Sequence, residues 1–125
     1  MARVRGIGGI FFKSDSPENL YGWYEKHLGI SRSGNEGVTF RWRHPDDPAK
    51  EEITAWAIFP SSTKYFGNGH STCMLNYIVD DLTATLRQLR EEGVEIDERV
   101  EDYDYGKFGW ITDPDGNRIE LWEPK

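Results

Sequence analysis

The sequence is short of cysteine and holds no long apolar segment. Its single cysteine, Cys73, cannot form a disulfide bond within the chain or build a cysteine metal cluster, and this usage is typical of a reducing, cytoplasmic setting. No apolar run approaches the roughly 20 residues that a membrane-spanning helix needs, and the opening MARVRGIGGIFFKSD lacks the pattern of a cleavable signal peptide. We therefore expect a cytoplasmic protein with no membrane partner.

The sequence also lacks any run of basic residues. Its 15 lysines and arginines are scattered and are outnumbered by 22 aspartates and glutamates, which gives a formal net charge of −7. This balance disfavours a polyanionic partner such as nucleic acid. Aromatic residues, by contrast, are plentiful, and such rings fill a core or line a pocket for flat and apolar ligands. A chain of 125 residues predicts one domain.

The order of predicted elements repeats along the chain. In the first half, a buried strand is followed by a helix that starts near Pro17 and stops at Gly29, and two strands come after it. The second half gives a strand, a helix that ends at Gly93, and three further strands, of which the last two are joined by the turn TDPDGN. The predicted strands are 4–13, 38–43, 52–59, 71–79, 94–100, 108–112 and 118–123.

These two halves are interpreted as a duplicated β-α-β-β-β unit. The first module spans residues 4–60 and the second spans 71–124, and the Ser- and Gly-rich segment 61–70 between them predicts a linker. An offset of 64 residues superposes a glycine on a glycine after each helix, and a proline on a proline after each last strand. The matched pairs are Gly29 with Gly93, Trp56 with Glu120, and Pro60 with Pro124, while an offset of 68 matches Phe40 and Trp42 with Phe108 and Trp110.

Two stretches, WYEKHLGI at 23–30 and FGWITDPDGNRIELWEP at 108–124, resemble signatures of the vicinal oxygen chelate superfamily. That superfamily contains glyoxalase I, bleomycin-resistance proteins and extradiol dioxygenases. The resemblance covers about residues 4–123, and the chain is similar to small bacterial glyoxalase-like proteins. It implies an α+β fold in which two βαβββ modules form a cup-shaped mixed sheet around a central site, and it implies a homodimer as a common assembly.

The resemblance also implies a divalent metal in the cup, held by the first and last strands of each module. In this sequence the four corresponding positions are Gly8, Trp56, Met74 and Glu120. A catalytic metal needs histidine nitrogen, carboxylate oxygen or thiolate sulfur, and only Glu120 offers such a group. The sequence therefore predicts that the metal site is lost and that the protein uses no cofactor.

Alternation along the predicted strands gives the side chains that share the inside of the cup. Rings, a flexible thioether and one amide describe a small-molecule pocket, although the same residues would also make an ordinary core. Two tyrosines in the loop VEDYDYGKFGW would close over such a ligand. The predicted ligand-binding residues are Phe12, Trp56, Met74, Asn76, Trp122, Tyr103 and Tyr105.

Glu120 is the candidate catalytic residue. A carboxylate in an aromatic cup is costly when ionised, and burial would raise its pKa toward the range of a general acid or base. Three roles stay open at this point: an ion pair with Arg41, Arg43 or Arg118, a contact to the ligand, or acid–base chemistry.

The sequence thus leaves open whether a reaction is catalysed. The leading hypothesis is a glyoxalase- and bleomycin-resistance-like protein that binds a small organic ligand without a metal. One alternative is a metal-dependent lyase or isomerase of the glyoxalase I type, which would need ligands beyond Glu120. The other is a metal-free enzyme that uses Glu120 as its general base, with Asn76 or a tyrosine stabilising an enolate.

Overall fold

The computed structural model of the chain describes residues 4–67 and 71–125, so positions 68–70 of the predicted linker lie outside the described residues. Within them, seven strands and two helices build mixed β-sheet covered by helices, which confirms the α+β class. Neither helix of this described part combines the length and the apolar character needed to cross a membrane. The elements are β1 (Val4–Ser14), α1 (Pro17–Leu28), β2 (Val38–His44), β3 (Asp47–Pro60), β4 (Cys73–Val79), α2 (Leu82–Glu91), β5 (Glu95–Tyr103), β6 (Gly106–Thr112) and β7 (Arg118–Pro124).

The chain forms two compact units. The first unit is Gly9–Cys73, and the second unit is Met74–Lys125 together with the part of β1 that ends at Gly8. Strand β1 therefore contributes to both units. The second unit carries three strands after its helix, whereas the described residues of the first unit carry two. The segment that follows α1 turns at Gly29 (φ 69°) and Gly34 (φ 59°), and these left-handed backbone angles are incompatible with an extended strand.

In the first unit, β3 pairs in parallel with β1 and antiparallel with β2. Helix α1 packs on this sheet through Tyr21, whose ring meets Trp56 and whose hydroxyl accepts a hydrogen bond of 2.9 Å from the backbone N–H of Ile58. These three buried residues form the core of the unit. The helix ends where Gly29 adopts a left-handed conformation and donates its N–H to the carbonyl of Glu25.

In the second unit, β7 pairs in parallel with β4 and antiparallel with β6, and β5 pairs antiparallel with β6. Helix α2 begins at an Asp81 cap, whose carboxylate accepts from the N–H of Ala84 at 3.0 Å. It covers one face of the sheet, where Leu82 and Leu86 pack on Val79 and Leu121. Residues at alternate positions on β4 and β7 point to the other face. That face, which carries Asn76, Trp110, Glu120 and Trp122, is called the site face below.

Candidate functional site

Glu120 lies at the centre of the site face, with 1% of its surface exposed. Its Oε1 accepts a hydrogen bond of 2.6 Å from the side-chain amide of Asn76, and its Oε2 accepts one of 3.1 Å from the indole N–H of Trp110. Strand register explains this arrangement, because Asn76 on β4 and Trp110 on β6 are both direct partners of Glu120 on β7. Three side chains from three strands thus form one row, and the two donors compensate for part of the loss of water around the carboxylate.

Asn76 is the second polar group of the site, and it is 2% exposed. Its amide nitrogen donates to Glu120, which leaves its oxygen Oδ1 as an acceptor. No donor among residues 4–67 and 71–125 reaches this buried oxygen. A buried acceptor without a donor costs about 1–3 kcal/mol, so such an atom calls for an explanation in a native structure.

Gly8 forms the wall beside this acceptor. A Cβ atom at Gly8 would lie 2.3 Å from Oδ1 of Asn76, and 2.9 Å from both Ile78 and Trp122. The space left by the missing side chain is therefore filled by three neighbouring side chains of the second unit. Met74, at the position that the resemblance assigns to a metal ligand, is 1% exposed on the same strand as Asn76.

A chain of aromatic rings runs from Trp122 to the surface of the second unit. Trp122 stacks on Phe108 with a 6.0 Å centroid separation and a 3° interplanar angle, and Phe108 meets both Tyr103 and Tyr105. The two tyrosines stack on each other at 5.2 Å and are 42% and 62% exposed. The indole N–H of Trp122 donates to the backbone carbonyl of Tyr105 at 3.2 Å. We call Tyr103, Tyr105, Phe108 and Trp122 the aromatic ladder.

Two arginines lie against the ring of Trp110. The guanidinium carbons of Arg99 and Arg118 are 5.1 Å and 5.3 Å from the ring centroid, within the range of a cation–π contact. Each arginine has a carboxylate partner, because Arg99 pairs with Glu101 at 3.3 Å and Arg118 pairs with Asp97 at 3.2 Å. The backbone N–H of Arg99, followed by the side chain of Arg118, lowers the pKa of Asp97 from its ordinary value.

The structure brings most of the predicted site residues together. Met74, Asn76 and Trp122 share the site face with Glu120, as alternation predicts, and Tyr103 and Tyr105 reach the same face through the aromatic ladder. Trp110 and Phe108 belong to this set, although sequence reasoning did not place them there. Their signal was present in the sequence, because Phe-x-Trp at 108–110 is the match of Phe-x-Trp at 40–42 in the repeat.

The predicted placement of Trp56 and Phe12 inside the cup is wrong. Trp56 is 8% exposed and packs under α1, with its ring 6.0 Å from Tyr21 and 4.9 Å from Tyr24. Phe12 packs in the same cluster, 5.3 Å from Trp56. Glu120, by contrast, points away from α2. Trp56 and Glu120, which the offset of 64 residues matches, therefore lie on opposite faces of their strands with respect to the helix of their unit. The offset is wrong by one residue along the strand, and such a shift moves every side chain to the other face.

The chemistry of the site does not fit a divalent metal. Of the four positions that the resemblance assigns to ligands, Gly8, Trp56 and Met74 provide no anionic or imidazole donor. Across the described part of the chain, no group of three or more His, Cys, Asp or Glu residues has an arrangement that could hold a metal ion.

Comparison with known proteins places the chain in a family. A family model described as Glyoxalase/Bleomycin resistance protein/Dioxygenase superfamily matches residues 14–121. No curated protein matches the sequence.

Solved structures with the same fold include two epimerases. Methylmalonyl-CoA epimerase from Mycobacterium tuberculosis is 21% identical with a TM-score of 0.63, over 100% of this chain and 91% of that one. A variant of Streptomyces coelicolor methylmalonyl-CoA epimerase, in complex with 2-nitronate-propionyl-CoA, is 12% identical with a TM-score of 0.70, over 97% and 98%. A structure described as NAD-dependent benzaldehyde dehydrogenase from Legionella pneumophila is 15% identical with a TM-score of 0.61, over 94% and 98%. At these identities the likeness shows the fold.

Proposed function

Because the chain belongs to the Glyoxalase/Bleomycin resistance protein/Dioxygenase superfamily, we propose that it binds a small organic molecule on the site face without using a divalent metal. One observation carries the proposal. The buried carboxylate of Glu120 is held by two N–H donors, Asn76 and Trp110, beside a ladder of aromatic rings that reaches the surface. Proteins commonly build small-molecule sites from apolar and aromatic walls with a few convergent polar groups.

The polar part of the site supports recognition of a ligand. Asn76 and Glu120 are both nearly fully buried, and a core without a ligand would be served equally well by apolar side chains at these positions. The amide oxygen of Asn76 still has the capacity to accept a hydrogen bond. The exposed rings of Tyr103 and Tyr105, at the outer end of the aromatic ladder, supply a surface on which a flat molecule would stack.

Independence from metal is supported by the side chains at the four positions that the resemblance assigns to ligands. Gly8, Trp56 and Met74 offer no carboxylate, imidazole or thiolate, so Glu120 is the one group of that kind among the four. A single carboxylate is also too small a donor set, since catalytic zinc sites use three protein ligands. A lyase or isomerase of the glyoxalase I type would need donors that these positions do not provide.

A metal-free enzyme with Glu120 as general base is the second candidate. The burial of this carboxylate favours it, because a desolvated base next to a hydrogen-bonding amide suits proton abstraction beside a carbonyl. Glu120→Gln separates the two candidates. A binding protein keeps its ligand affinity within about tenfold after the substitution, whereas an acid–base enzyme keeps affinity and loses turnover.

The proposal is tested by thermal melts of the purified protein. Elemental analysis without added metal and melts with Ni²⁺, Zn²⁺, Fe²⁺ and Mn²⁺ form one arm, and melts with phenol, indole and quinoline in the presence of EDTA form the other. We expect no stoichiometric metal and a rise of about 2–5 °C in the melting temperature with at least one aromatic fragment. Near-stoichiometric metal, or a rise of several degrees with any ion, would overturn metal independence.

A matched pair of tryptophan variants locates the binding. Trp122→Leu removes a ring of the aromatic ladder, and Trp23→Leu removes a ring that is 51% exposed on α1 of the first unit. We expect the fragment-dependent rise to be lost in Trp122→Leu and kept in Trp23→Leu. An equal response in both variants, or no response of the unmodified protein to any fragment, would contradict binding on the site face.

A further inference from the structure

The outer edge of β2 lacks a neighbouring strand that its counterpart in the second unit has. Strand β2 is the repeat counterpart of β6, because Phe-x-Trp at 40–42 matches Phe-x-Trp at 108–110. Strand β6 lies between β7 and β5, whereas β2 pairs with β3 and, within residues 4–67 and 71–125, with no second strand. The segment 29–37, which takes the place of β5 in chain order, contains no strand. The first unit therefore stops one strand short of the second.

The backbone on this edge of β2 is open to another strand. None of the hydrogen bonds that turns and loops make in the described part of the chain reaches a backbone group of β2. Such an edge presents a row of unpaired N–H and C=O groups, which pairs readily with a strand of another chain. Phe40 is 44% exposed and adds an apolar side chain to the edge.

The side chains of β2 give this edge a positive charge. The strand contains Arg41, Arg43 and His44 and no acidic residue. Both arginines share the carboxylate of Glu51, at 2.7 Å from Arg41 and 3.9 Å from Arg43, and their side chains remain 70% and 55% exposed. Two positive charges against one negative charge leave a positive excess. A strand that completes this sheet should therefore be acidic.

Strand β5 is an acidic edge of the same chain. It carries five acidic residues and one arginine, and among the described residues it pairs only with β6. Three of the five, Asp97, Glu101 and Asp102, already have cationic partners. Glu95 and Glu98 are exposed and have no such partner within the described chain. The charge of β5 is thus complementary to that of β2.

The backbone of β5 limits the length of any contact on this edge. Residues 100–103 pair regularly with β6, and Val100 among them is 50% exposed. The register shifts between Ile96 and Val100, and such an irregularity shortens the run of backbone that another strand can follow. A contact through this edge is therefore short, and it should be weak and dependent on concentration.

From these features we infer that the outer edge of β2 pairs with β5 of a second copy of the chain. The contact joins a positive strand of the first unit to a negative strand of the second unit, so it is heterologous. Backbone hydrogen bonds provide the affinity, and charge provides the choice of partner strand. This inference goes beyond the proposed function and does not depend on it, because the contact uses neither Glu120 nor Asn76.

Analytical ultracentrifugation of the full chain tests this contact at concentrations from about 10 µM to about 1 mM, a range that brackets a weak association. We expect a monomer at the low end and a dissociation constant of about 0.1–1 mM. Raising the sodium chloride concentration from about 50 mM to about 500 mM should weaken the association about fivefold or more, because salt screens exposed charges. In ¹⁵N NMR spectra over the same protein concentrations, the backbone amide signals of β2 and β5 should shift.

Two charge-reversed variants make the test specific for these strands. One carries Arg41→Glu with Arg43→Glu on β2, and the other carries Glu95→Lys with Glu98→Lys on β5. Each variant places like charges on the two edges, so each alone should stay monomeric at about 1 mM. An equimolar mixture should associate again, because the altered edge of each variant then meets an opposite charge on the altered edge of the other.

Arg87→Glu with Arg90→Glu on α2 is the matched control. Both arginines are exposed, and the two substitutions change the net charge by the same amount as those on β2 while leaving both edges intact. This variant should associate like the unmodified protein. Equal loss of association in the control would assign the effect to net charge and overturn the inference.

Several other outcomes would also overturn the pairing of β2 with β5. A protein that stays monomeric at about 1 mM has no such contact, and an equimolar mixture that does not associate contradicts the charge match. Concentration-dependent NMR shifts confined to other strands or helices would place self-association on another surface. Should the β2 variant fail to fold without its ion pairs to Glu51, the β5 variant remains a sufficient test, since undiminished self-association of that variant would contradict the inference.

Discussion

The indole N–H of Trp110 donates a hydrogen bond of 3.1 Å to Oε2 of Glu120, its direct partner across the antiparallel pair of β6 and β7. Both side chains are essentially inaccessible to solvent. The bond joins the site to the structure of the sheet, because its length depends on the register of two strands rather than on a flexible loop. Loss of this donor should therefore lower the free energy of unfolding as well as the ligand affinity.

Trp110→Phe tests the energetic coupling between the two residues. The substitution keeps an aromatic ring but removes the N–H, and it should lower the free energy of unfolding by about 2 kcal/mol or more. Glu120→Met keeps a similar length without charge. In a double-mutant cycle measured by urea unfolding, the double variant should be more stable than the sum of the single effects by about 1 kcal/mol or more, because no buried carboxylate then lacks its donor. Strict additivity would show that the hydrogen bond contributes little.

Gly8→Ala should be one of the most destabilising small substitutions in the second unit. The new Cβ would meet Asn76, Ile78 and Trp122 at less than 3.0 Å, so these side chains must move apart. Overpacking of this kind costs about 1–3 kcal/mol, and urea unfolding would measure it.

Gly22→Ala is the matched control for that substitution. Gly22 lies in α1. Apart from its chain neighbours and the backbone of its own helix, nothing lies within 4 Å of its would-be Cβ, so alanine should stabilise the helix by up to about 1 kcal/mol. If the two glycine variants had equal stability, the close approach of Asn76 and Trp122 to Gly8 would not be a real constraint. Ligand affinity should also fall in Gly8→Ala, because the displaced Asn76 and Trp122 are the proposed contacts.

Acid should weaken the fold partly through Asp97. The N–H of Arg99 and the side chain of Arg118 lower the pKa of this carboxyl below the ordinary value of an aspartate. A group whose pKa is lower in the folded state adds stability above its unfolded pKa, and this stability is lost as the pH falls through the folded value. Asp97→Asn should therefore cost about 1 kcal/mol or less at pH 7, and the difference from the unmodified protein should be smaller at pH 2 than at pH 7.

Urea unfolding at both pH values measures this effect, with Glu98→Gln as the control. Glu98 is an exposed neighbour on β5 and its substitution should change stability little at either pH. A difference between Asp97→Asn and the unmodified protein that stayed constant from pH 7 to pH 2 would assign the effect to something other than the ionised carboxylate.

The element order was largely predictable from the sequence because its signals are local. Pro17 and Gly29 mark the ends of α1, and the spacing of Leu82 and Leu86 marks the buried side of α2. Alternation within β7 also placed Glu120 and Trp122 on one face, since two residues on one strand need no information from elsewhere. The difference between the two units after their helices was harder to predict. The segment after α1 turns at the left-handed Gly29 and Gly34, and these turns depend on how the chain returns to the sheet.

Tertiary structure alone decided which strands supply the partners of Glu120. Asn76 is 44 residues away in the chain and Trp110 is 10 residues away, and both meet Glu120 only because strand register places them opposite it. Register also explains the error at Trp56. A repeat offset that is read from matched residues does not show which face of a strand each side chain occupies. A displacement of one residue along the strand therefore placed Trp56 and Phe12 in the cup rather than under α1.

The sequence by itself therefore determined most of the secondary structure and the family-type fold, since these follow from local pattern. It also showed that Gly8, Trp56 and Met74 carry no carboxylate, imidazole or thiolate, since this follows from the identity of the side chains. The tertiary structure decided that the carboxylate of Glu120 is closed off by Asn76 and Trp110, that Asn76 keeps a buried acceptor, and that the aromatic ladder leads to it. These contacts depend on the pairing of distant strands, which is fixed by packing and hydrogen bonding across the whole sheet.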